Sequence, residues 1–272
     1  MSDRMTTSAA RPLALVTGAS SGIGFELAKL LAQNNFDLII AAEDDAITRA
    51  AAELEAIGAS VDTVQVDLAT GSGVEELYRH VSDAGRPLEA AALNAGVGAG
   101  GAFIDTELAD ELTIVDLNVR STVHLSKYVV RDMVARGRGR ILYTSSIAST
   151  MPGSFQAIYN ASKSFVQSFA MALRDELKDT GVTVTSLMPG PTETEFFERA
   201  DMMDTKIGTS DSKDDPADVA KDGFEALMAG KERVVSHSLS TKAQGRGSRL
   251  MPDNVKAKMH EKMAEPGSAQ DN

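Results

Sequence analysis

The stretch that decides the fold of this 272-residue chain reads Leu13-Ala-Leu-Val-Thr17-Gly18-Ala-Ser-Ser-Gly22-Ile-Gly24. Its first five residues are apolar or β-branched, which predicts a strand buried on both faces. The glycines that follow lead directly into a predicted helix, 22–33. Glycine backbone and the amides at a helix N-terminus together form a site for a pyrophosphate. Because this turn lies between the first strand and the first helix, it predicts dinucleotide binding.

Strand-like and helical patterns alternate along the rest of the chain, which is typical of a parallel sheet with helices on both faces. The predicted strands are 13–17, 37–42, 61–66, 90–94, 140–145, 182–188 and 233–236. The predicted helices are 22–33, 45–57, 73–82, 110–135, 157–178 and 216–228. We therefore expect an α/β fold, namely a single Rossmann-like, doubly wound domain with a seven-stranded, mostly parallel sheet.

Composition excludes several classes of function. A formal net charge of −12 and a pI near 4.8 disfavour nucleic acid and anionic membranes as partners. The chain has no cysteine, and its four histidines share no metal-ligand spacing, so no metal site is predicted. The N-terminus lacks an apolar signal core, and no apolar run reaches about 18 residues. We expect a cytoplasmic protein that acts on a small molecule.

A second informative group lies in the middle of the chain. Tyr159 and Lys163 are four residues apart within the predicted helix 157–178, and Ser145 and Ser146 precede them. This spacing places the phenol and the ammonium on one helix face. A nearby cation would lower a tyrosine pKa from about 10, so that Tyr159 could give or take a proton. The alternative is a solvated surface pair, which is common at this spacing.

The residues after the second strand bear on which dinucleotide binds. Glu43, Asp44 and Asp45 follow it. A carboxylate there can accept hydrogen bonds from ribose hydroxyls and would repel a 2′-phosphate. The glycine turn has no Arg or Lys, so we expect NAD in preference to NADP. The alternative is that these acids only form the negative first turn of the next helix.

Six motifs taken together resemble those of the short-chain dehydrogenase/reductase family. They are Thr17 to Gly24, Asn94-Ala-Gly96, Asn118, Ser146, Tyr159-Asn-Ala-Ser-Lys163 and Pro189-Gly-Pro-Thr-Glu-Thr194. Their order and spacing both match. The resemblance implies an NAD(P)-dependent oxidoreductase that interconverts a secondary alcohol and a ketone by hydride transfer. The alternatives are an NADPH-dependent carbonyl or acyl-thioester ketone reductase, and a non-catalytic dinucleotide-binding sensor or scaffold.

The resemblance implies roles for four catalytic residues. Tyr159 would be the acid or base, and Ser146 would hold the substrate oxygen. Ser146 is chosen over Ser145 because the family's serine lies thirteen residues before its tyrosine. Lys163 would lower the tyrosine pKa and bind the nicotinamide ribose, and Asn118 would hold a water that links Lys163 to solvent.

The resemblance also implies a cofactor-binding set. The residues around the pyrophosphate and its riboses would be Gly18, Ser20, Ser21, Ile23 and Gly24. Those on the adenosine side would be Glu43, Asp67, Leu68, Asn94, Ala95 and Gly96. Those around the nicotinamide end would be Pro189, Thr192, Thr194, Tyr159 and Lys163. Many relatives carry Asp or Arg after the second strand, whereas this chain has Ala42 followed by Glu43. The NAD expectation therefore depends on Glu43.

Less specific expectations concern the chain ends, the substrate and the assembly. Residues 1–10 are expected to form a flexible arm, 11–237 the cofactor-binding and catalytic domain with a substrate loop at about 190–215, and 238–272 a tail or short amphipathic helix. Pocket residues suggested by position are Ser149, Phe155, Phe196 and Phe197, which favour a partly apolar alcohol or carbonyl substrate. Helix 157–178 is apolar around much of its circumference, which with the family's tendency predicts a homodimer or homotetramer.

Overall fold

The computed structural model describes residues 11–236 and 251–270. Within these ranges one sheet has the strand order β3-β2-β1-β4-β5-β6-β7, and every neighbouring pair is parallel. The strands are β1 (Leu13–Thr17), β2 (Asp37–Ala42), β3 (Val61–Gln65), β4 (Leu88–Leu93), β5 (Gly139–Thr144), β6 (Val182–Met188) and β7 (Arg233–Val235). The predicted Rossmann-like α/β fold is confirmed. The expected arm at 1–10 and the start of the tail, 238–250, lie outside the described residues.

The helices cover both faces of this sheet. They are α1 (Gly22–Gln33), α2 (Ala46–Ala56), α3 (Gly71–Asp83), α4 (Leu108–Ile114), α5 (Thr122–Arg136), α6 (Ala157–Glu176), α7 (Phe196–Arg199), α8 (Pro216–Met228) and α9 (Asp253–Ala264). Strand residues alternate between two cores: Leu13 and Leu15 face the side of α3, α5 and α6, whereas Ala14 and Val16 face the side of α1, α2 and α8. None of the helices in the described ranges is long and apolar enough to cross a membrane.

The predicted helix 110–135 is interrupted. It begins as α4, continues as a π-helical segment at Val115–Ser121, and resumes as α5. Asn118 lies in the π-helical segment and is buried. Helix periodicity in the sequence did not predict the interruption, because apolar residues continue through it. π-Helical turns inside α-helices are frequent at functional sites.

The predicted substrate loop has its own structure and is joined to the C-terminal helix. It contains α7, and a parallel bridge pairs Thr192 with Asp214. The short helix expected in the tail is α9. Val255, Met259 and Met263 are 41%, 45% and 38% exposed, whereas His260 and Ala264 are the buried residues of this helix.

Candidate active site

The ends of four neighbouring strands meet at one cavity of about 260 Å³. The glycine turn follows β1, Asn94 follows β4, the two serines follow β5, and Pro189 follows β6. Parallel strands that are adjacent in a sheet bring their carboxyl ends together, and ligands bind at this edge in open α/β sheets. Residues separated by more than 160 positions in the sequence therefore line a single cavity.

The glycine turn leaves its backbone accessible to a phosphate. Gly18 has a φ of 64°, and a Cβ there would lie 2.9 Å from Ala95 Cα. A Cβ on Gly24 would collide with the carbonyl of Gly18. Ser21 is the N-cap residue of α1, yet its side chain accepts no hydrogen bond from the helix amides, and the first turn contains no acid. The turn therefore leaves backbone amides free for an anion such as a pyrophosphate, and the residues expected around it, Gly18, Ser20, Ser21, Ile23 and Gly24, all line the cavity.

Asn94 holds the strand ends in place. Its backbone N–H donates to Thr17 Oγ1 at 3.0 Å, and its Nδ2 donates to Thr17 O at 3.2 Å and to Gly18 O at 3.3 Å. Its Oδ1 accepts from Thr144 Oγ1 at 2.9 Å. The side chain therefore ties β1, β4 and β5 together, and Ala95 and Gly96 continue from it along the cavity wall.

A smaller cavity of about 70 Å³ adjoins the glycine turn on the side of β2 and β3. Glu43, Asp67 and Leu68, which were expected on the adenosine side, line it. The carboxylate that makes contacts is that of Asp44: its Oδ2 accepts from Ser20 Oγ at 3.1 Å and pairs with Arg199 Nη2 at 3.4 Å. Asp44 Oδ1 is buried with no hydrogen-bond partner.

Glu43, in contrast, is exposed, and its side chain makes no hydrogen bond within the described part of the chain. The sequence placed Asp44 beside Glu43 and did not distinguish their orientations. It gave no sign of Arg199, because that residue comes from the distant helix α7.

The two serines after β5 have different partners. Ser145 Oγ donates to the Lys163 carbonyl at 3.0 Å and is buried. Ser146 starts a 3₁₀ turn, accepts from Ala148 N at 3.1 Å, and lines the cavity with Tyr159. Ser146 Oγ also donates to Pro189 O, but at 3.5 Å, which is longer than the 3.0 Å bond of Ser145, so Ser146 is the better placed of the two to meet a ligand.

Tyr159 and Lys163 are both buried on α6, and their pKa values shift towards the neutral forms. Burial raises the pKa of Tyr159 to about 12, opposed by the nearby Ser146 hydroxyl. Burial lowers the pKa of Lys163 from 10.5 to about 8. Lys163 Nζ donates to Thr144 O at 3.1 Å and lies 5.8 Å from the centre of the Tyr159 ring.

The prediction of a lowered Tyr159 pKa is therefore wrong, because the pKa is raised. Loss of hydration dominates at the phenol, and burial also disfavours the charge on Lys163 that would have lowered the tyrosine pKa.

Asn118 lies beside this pair. Its Oδ1 accepts from Val97 N at 2.9 Å, and its Nδ2 donates to Val97 O at 2.9 Å and to Ser162 Oγ at 3.0 Å. A Cβ on Gly96 would lie 3.0 Å from both Asn118 Oδ1 and Lys163 Nζ. Glycine at 96 therefore keeps space open between Asn118 and Lys163.

The far end of the cavity is largely apolar. Pro189, Thr192 and Thr194, which were expected near the nicotinamide, line it. A Cβ on Gly22 would lie 3.0 Å from Thr194 Cγ2, so the two loops are in contact. Of the four suggested pocket residues, Phe196 and Phe197 line the cavity, whereas Ser149 and Phe155 do not. Lining residues that the sequence did not indicate include Met151, Gln156, Ile207, Met259, His260 and Met263.

The described residues contain no group of three or more His, Cys, Asp or Glu side chains that could hold a metal ion. The arrangement is instead a cleft whose lining includes Ser146, Tyr159 and Lys163 beside the glycine turn. Such groups can orient a carbonyl or hydroxyl oxygen and exchange a proton with it.

Comparison with known proteins agrees with this arrangement. A family model described as short chain dehydrogenase matches residues 12–204, which is more than half of the chain. The chain is 33% identical over 187 residues to sulfoacetaldehyde reductase 2 of Chromohalobacter salexigens, covering 68% of this chain and 74% of the relative. It is 31% identical over 188 residues to a 3-oxoacyl acyl-carrier-protein reductase of Synechocystis, covering 68% and 76%.

A solved structure shows the same likeness in three dimensions. The chain is similar to a short-chain dehydrogenase from Sphingobium yanoikuyae in complex with NADPH, with a TM-score of 0.78, 25% identity, and coverage of 88% of this chain and 93% of the other. The motifs, the sheet order and these matches agree. The chain belongs to the short-chain dehydrogenase/reductase family and is an NAD(P)-dependent oxidoreductase that acts on CH–OH groups.

Proposed function

We propose that this enzyme interconverts a secondary alcohol and a ketone, with Tyr159 as the acid or base and Ser146 as the group that holds the reacting oxygen. The observation that carries the proposal is the cavity itself, in which Ser146, Tyr159 and Lys163 lie beside the glycine turn. When bound, NAD(P) supplies the hydride chemistry. The protein positions the substrate and exchanges the proton.

The Tyr159 pKa of about 12 supports a proton donor at neutral pH. In the carbonyl-reducing direction Tyr159 then gives its phenolic proton to the oxygen on which negative charge develops, and Ser146 donates a hydrogen bond to the same oxygen. Donors held in place before the reaction stabilise such charge without reorganising. In the oxidising direction the tyrosine receives the alcohol proton.

Lys163 and Asn118 complete this proposed proton path. The lysine pKa of about 8 lies close to neutral pH, so its ammonium can lose and regain a proton. Asn118 sits at the π-helical segment with its side chain bound to Val97 and Ser162. We place a water near Asn118 that links Lys163 to solvent.

The proposed cofactor is NAD. The carboxylate of Asp44 supports this choice, because its buried Oδ1 has no partner and can accept from a ribose hydroxyl. Asp44 is a stronger candidate for this contact than Glu43, whose side chain is exposed. Asp67 and Leu68 would border the adenine, and Thr192 and Thr194 the nicotinamide.

Residues 11–237 would form the single catalytic domain, and the loop at 190–215 would cover the substrate. The bridge between Thr192 and Asp214 supports a structured cover, as does the short helix α7 within the loop.

The test is Tyr159→Phe, with Ser146→Ala as a second variant. Both are expected to bind NAD(H) as the wild type does and to turn over a panel of alcohols and ketones more slowly, by about 10²- to 10⁴-fold for the tyrosine and about 10²-fold for the serine. Undiminished turnover by Tyr159→Phe would exclude it as the acid or base. Tight cofactor binding without turnover in the wild type would indicate a sensor or scaffold.

A second candidate is an NADPH-dependent reductase of carbonyl compounds or acyl thioesters. The relatives named as sulfoacetaldehyde and 3-oxoacyl reductases support it, as does the NADPH in the similar structure. Steady-state assays with acetoacetyl thioesters and with NADPH against NADH separate it from the first candidate. A clear preference for NADPH would exclude our choice of NAD.

We also propose that the enzyme is a homodimer or homotetramer. Leu108 and Leu112 on α4 are 69% and 51% exposed, and Phe165 on the neighbouring α6 is 39% exposed. Monomeric proteins rarely expose adjoining large apolar side chains in this way, so a second copy is the proposed cover.

A further inference from the structure

Helix α9 is fastened to the walls of the active-site cavity. Ser154 Oγ donates to Ala257 O at 3.4 Å, and Ile207 N donates to Met263 O at 3.0 Å. The turn after the helix is bound as well, because Gly267 N donates to Asp204 Oδ2 at 2.7 Å. The helix therefore joins the segment before α6 to the substrate loop.

Through these contacts α9 brings Met259, His260 and Met263 to the cavity. His260 is the polar member of this group, and it is 7% exposed. Its Nδ1 lies 2.9 Å from the carbonyl oxygen of Ser154. A carbonyl oxygen only accepts, so Nδ1 carries the hydrogen.

The other ring nitrogen, Nε2, has no hydrogen-bond partner within the described part of the chain. Burial lowers the pKa of His260, which keeps the ring neutral. In this tautomer Nε2 is a hydrogen-bond acceptor. Nε2 is not one of the fully buried atoms that lack a partner, so it is accessible at the cavity that His260 lines, and a ligand that supplies a donor can bind to it there.

The surroundings limit the kind of ligand that would supply it. The substrate end of the cavity is lined mostly by methionine, phenylalanine and isoleucine side chains. The charged residues Glu195 and Arg199 at its border pair with each other at 2.7 Å. An uncharged and largely apolar molecule fits this lining better than an organic anion does.

We propose that His260 is a specificity-determining residue whose Nε2 accepts a hydrogen bond from a second polar group of the substrate, such as a phenolic or aliphatic hydroxyl. The substrate class is then an uncharged, mostly apolar ketone or secondary alcohol that carries a hydroxyl apart from the reacting oxygen. This inference rests on the proposed function, since it assigns the substrate of the same cavity.

The test compares ketones that differ in one group. The meta- and para-hydroxy derivatives of benzylacetone are paired with the corresponding methyl derivatives. Binding to the enzyme saturated with NADH, and separately with NADPH, is followed by cofactor fluorescence. Whichever of the two hydroxy ketones binds more tightly to the wild type is expected to bind roughly tenfold more tightly than its methyl partner.

Two substitutions separate recognition from structural support. The amide of His260→Asn can still donate to Ser154 O but does not reach the position of Nε2. The ratio of the affinity for the hydroxy ketone to that for its methyl partner should therefore fall to about one. The longer side chain of His260→Gln can present an acceptor near that position, so part of the ratio should return. Met259→Leu, on the same helix and wall, changes the apolar lining and should leave the ratio as in the wild type.

Equal affinities for the paired ketones in the wild type would overturn the inference, as would a ratio retained in His260→Asn or no binding of any ketone. The binding measurement does not need turnover. An absence of turnover together with a His260-dependent ratio would overturn the proposed reaction alone, whereas turnover with no such ratio would overturn the inference alone.

Discussion

The side chain of Asn118 and the backbone of Val97 are joined by two hydrogen bonds. Val97 N donates to Asn118 Oδ1 at 2.9 Å, and Asn118 Nδ2 donates to Val97 O at 2.9 Å. Nδ2 also reaches Ser162 Oγ on α6 at 3.0 Å. One buried amide therefore connects the chain after β4, the π-helical segment and the helix that carries Tyr159.

Asn118→Ala is expected to lower the free energy of unfolding by about 3 kcal/mol, because it leaves the N–H and C=O groups of Val97 without partners. Urea unfolding measures this change. Asn34→Ala is the matched control, since Asn34 also binds a backbone carbonyl, at Leu30, but is exposed. It should cost about 0.5 kcal/mol or less. Equal costs for the two variants would contradict a structural role for Asn118.

Lys163 should make stability depend on pH. Its pKa falls from 10.5 to about 8 on folding. Between these values the unfolded chain binds a proton that the folded protein has lost, so the free energy of unfolding rises with pH across this window. The shift corresponds to about 3 kcal/mol.

Unfolding of the wild type and of Lys163→Met, measured at several pH values from about 7.5 to about 10.5, tests this directly. The wild type should gain stability relative to the variant as the pH rises. If the difference in the free energy of unfolding between the two proteins does not change with pH, the lysine keeps its ordinary pKa.

Asp44 should set the cofactor preference. Asp44→Ser removes the carboxylate nearest the glycine turn and frees Arg199 from their 3.4 Å ion pair. We expect the affinity for NADP relative to NAD to rise roughly tenfold, which corresponds to about 1.4 kcal/mol. Cofactor titration measures it. Glu43→Ser is the matched control and should change the ratio less; an equal or larger change would restore Glu43 as the determining acid.

Leu112→Asp should weaken self-association. The substitution places a charge one helical turn from the exposed Leu108 on α4, and the charge would be buried in the proposed interface. Analytical ultracentrifugation should show smaller species than the wild type at the same concentration. Ile57→Asp, at the end of α2 on the other face of the sheet, is the control and should sediment as the wild type does. A monomeric wild type would refute the proposed assembly.

The secondary structure was most predictable where local signals mark both ends of an element. The bounds of α8 were predicted without error, because Asp215 caps the helix by accepting from Ala217 N and Pro216 follows it. The break at Val115–Ser121 was missed, since it depends on the bonds of Asn118 to Val97 and Ser162 rather than on apolar periodicity.

The site residues show the same contrast between features that local sequence predicts and features that depend on tertiary packing. The glycine turn, Ser146, Tyr159 and Lys163 were proposed from motifs, and the structure brings them to one cavity. The expected direction of the Tyr159 pKa was wrong, because the spacing of two residues on a helix contains no information on their burial. Ser149 and Phe155 do not line the cavity, although residues next to them in the sequence do. Ser149 Oγ donates instead to Ser146 O at 2.6 Å, and Phe155 packs against the cluster that contains Phe197 and Met202.

By itself, the sequence determined the order of strands and helices, the glycine turn and the identity of the groups that can exchange a proton, because these depend on local periodicity and on residue type. Only the tertiary structure decided that Asp44 rather than Glu43 meets Ser20 and Arg199, and that His260 reaches the cavity. His260 lies 101 positions after Tyr159 in the sequence. Contacts over such distances arise from packing against the finished sheet, and local sequence contains no signal for them.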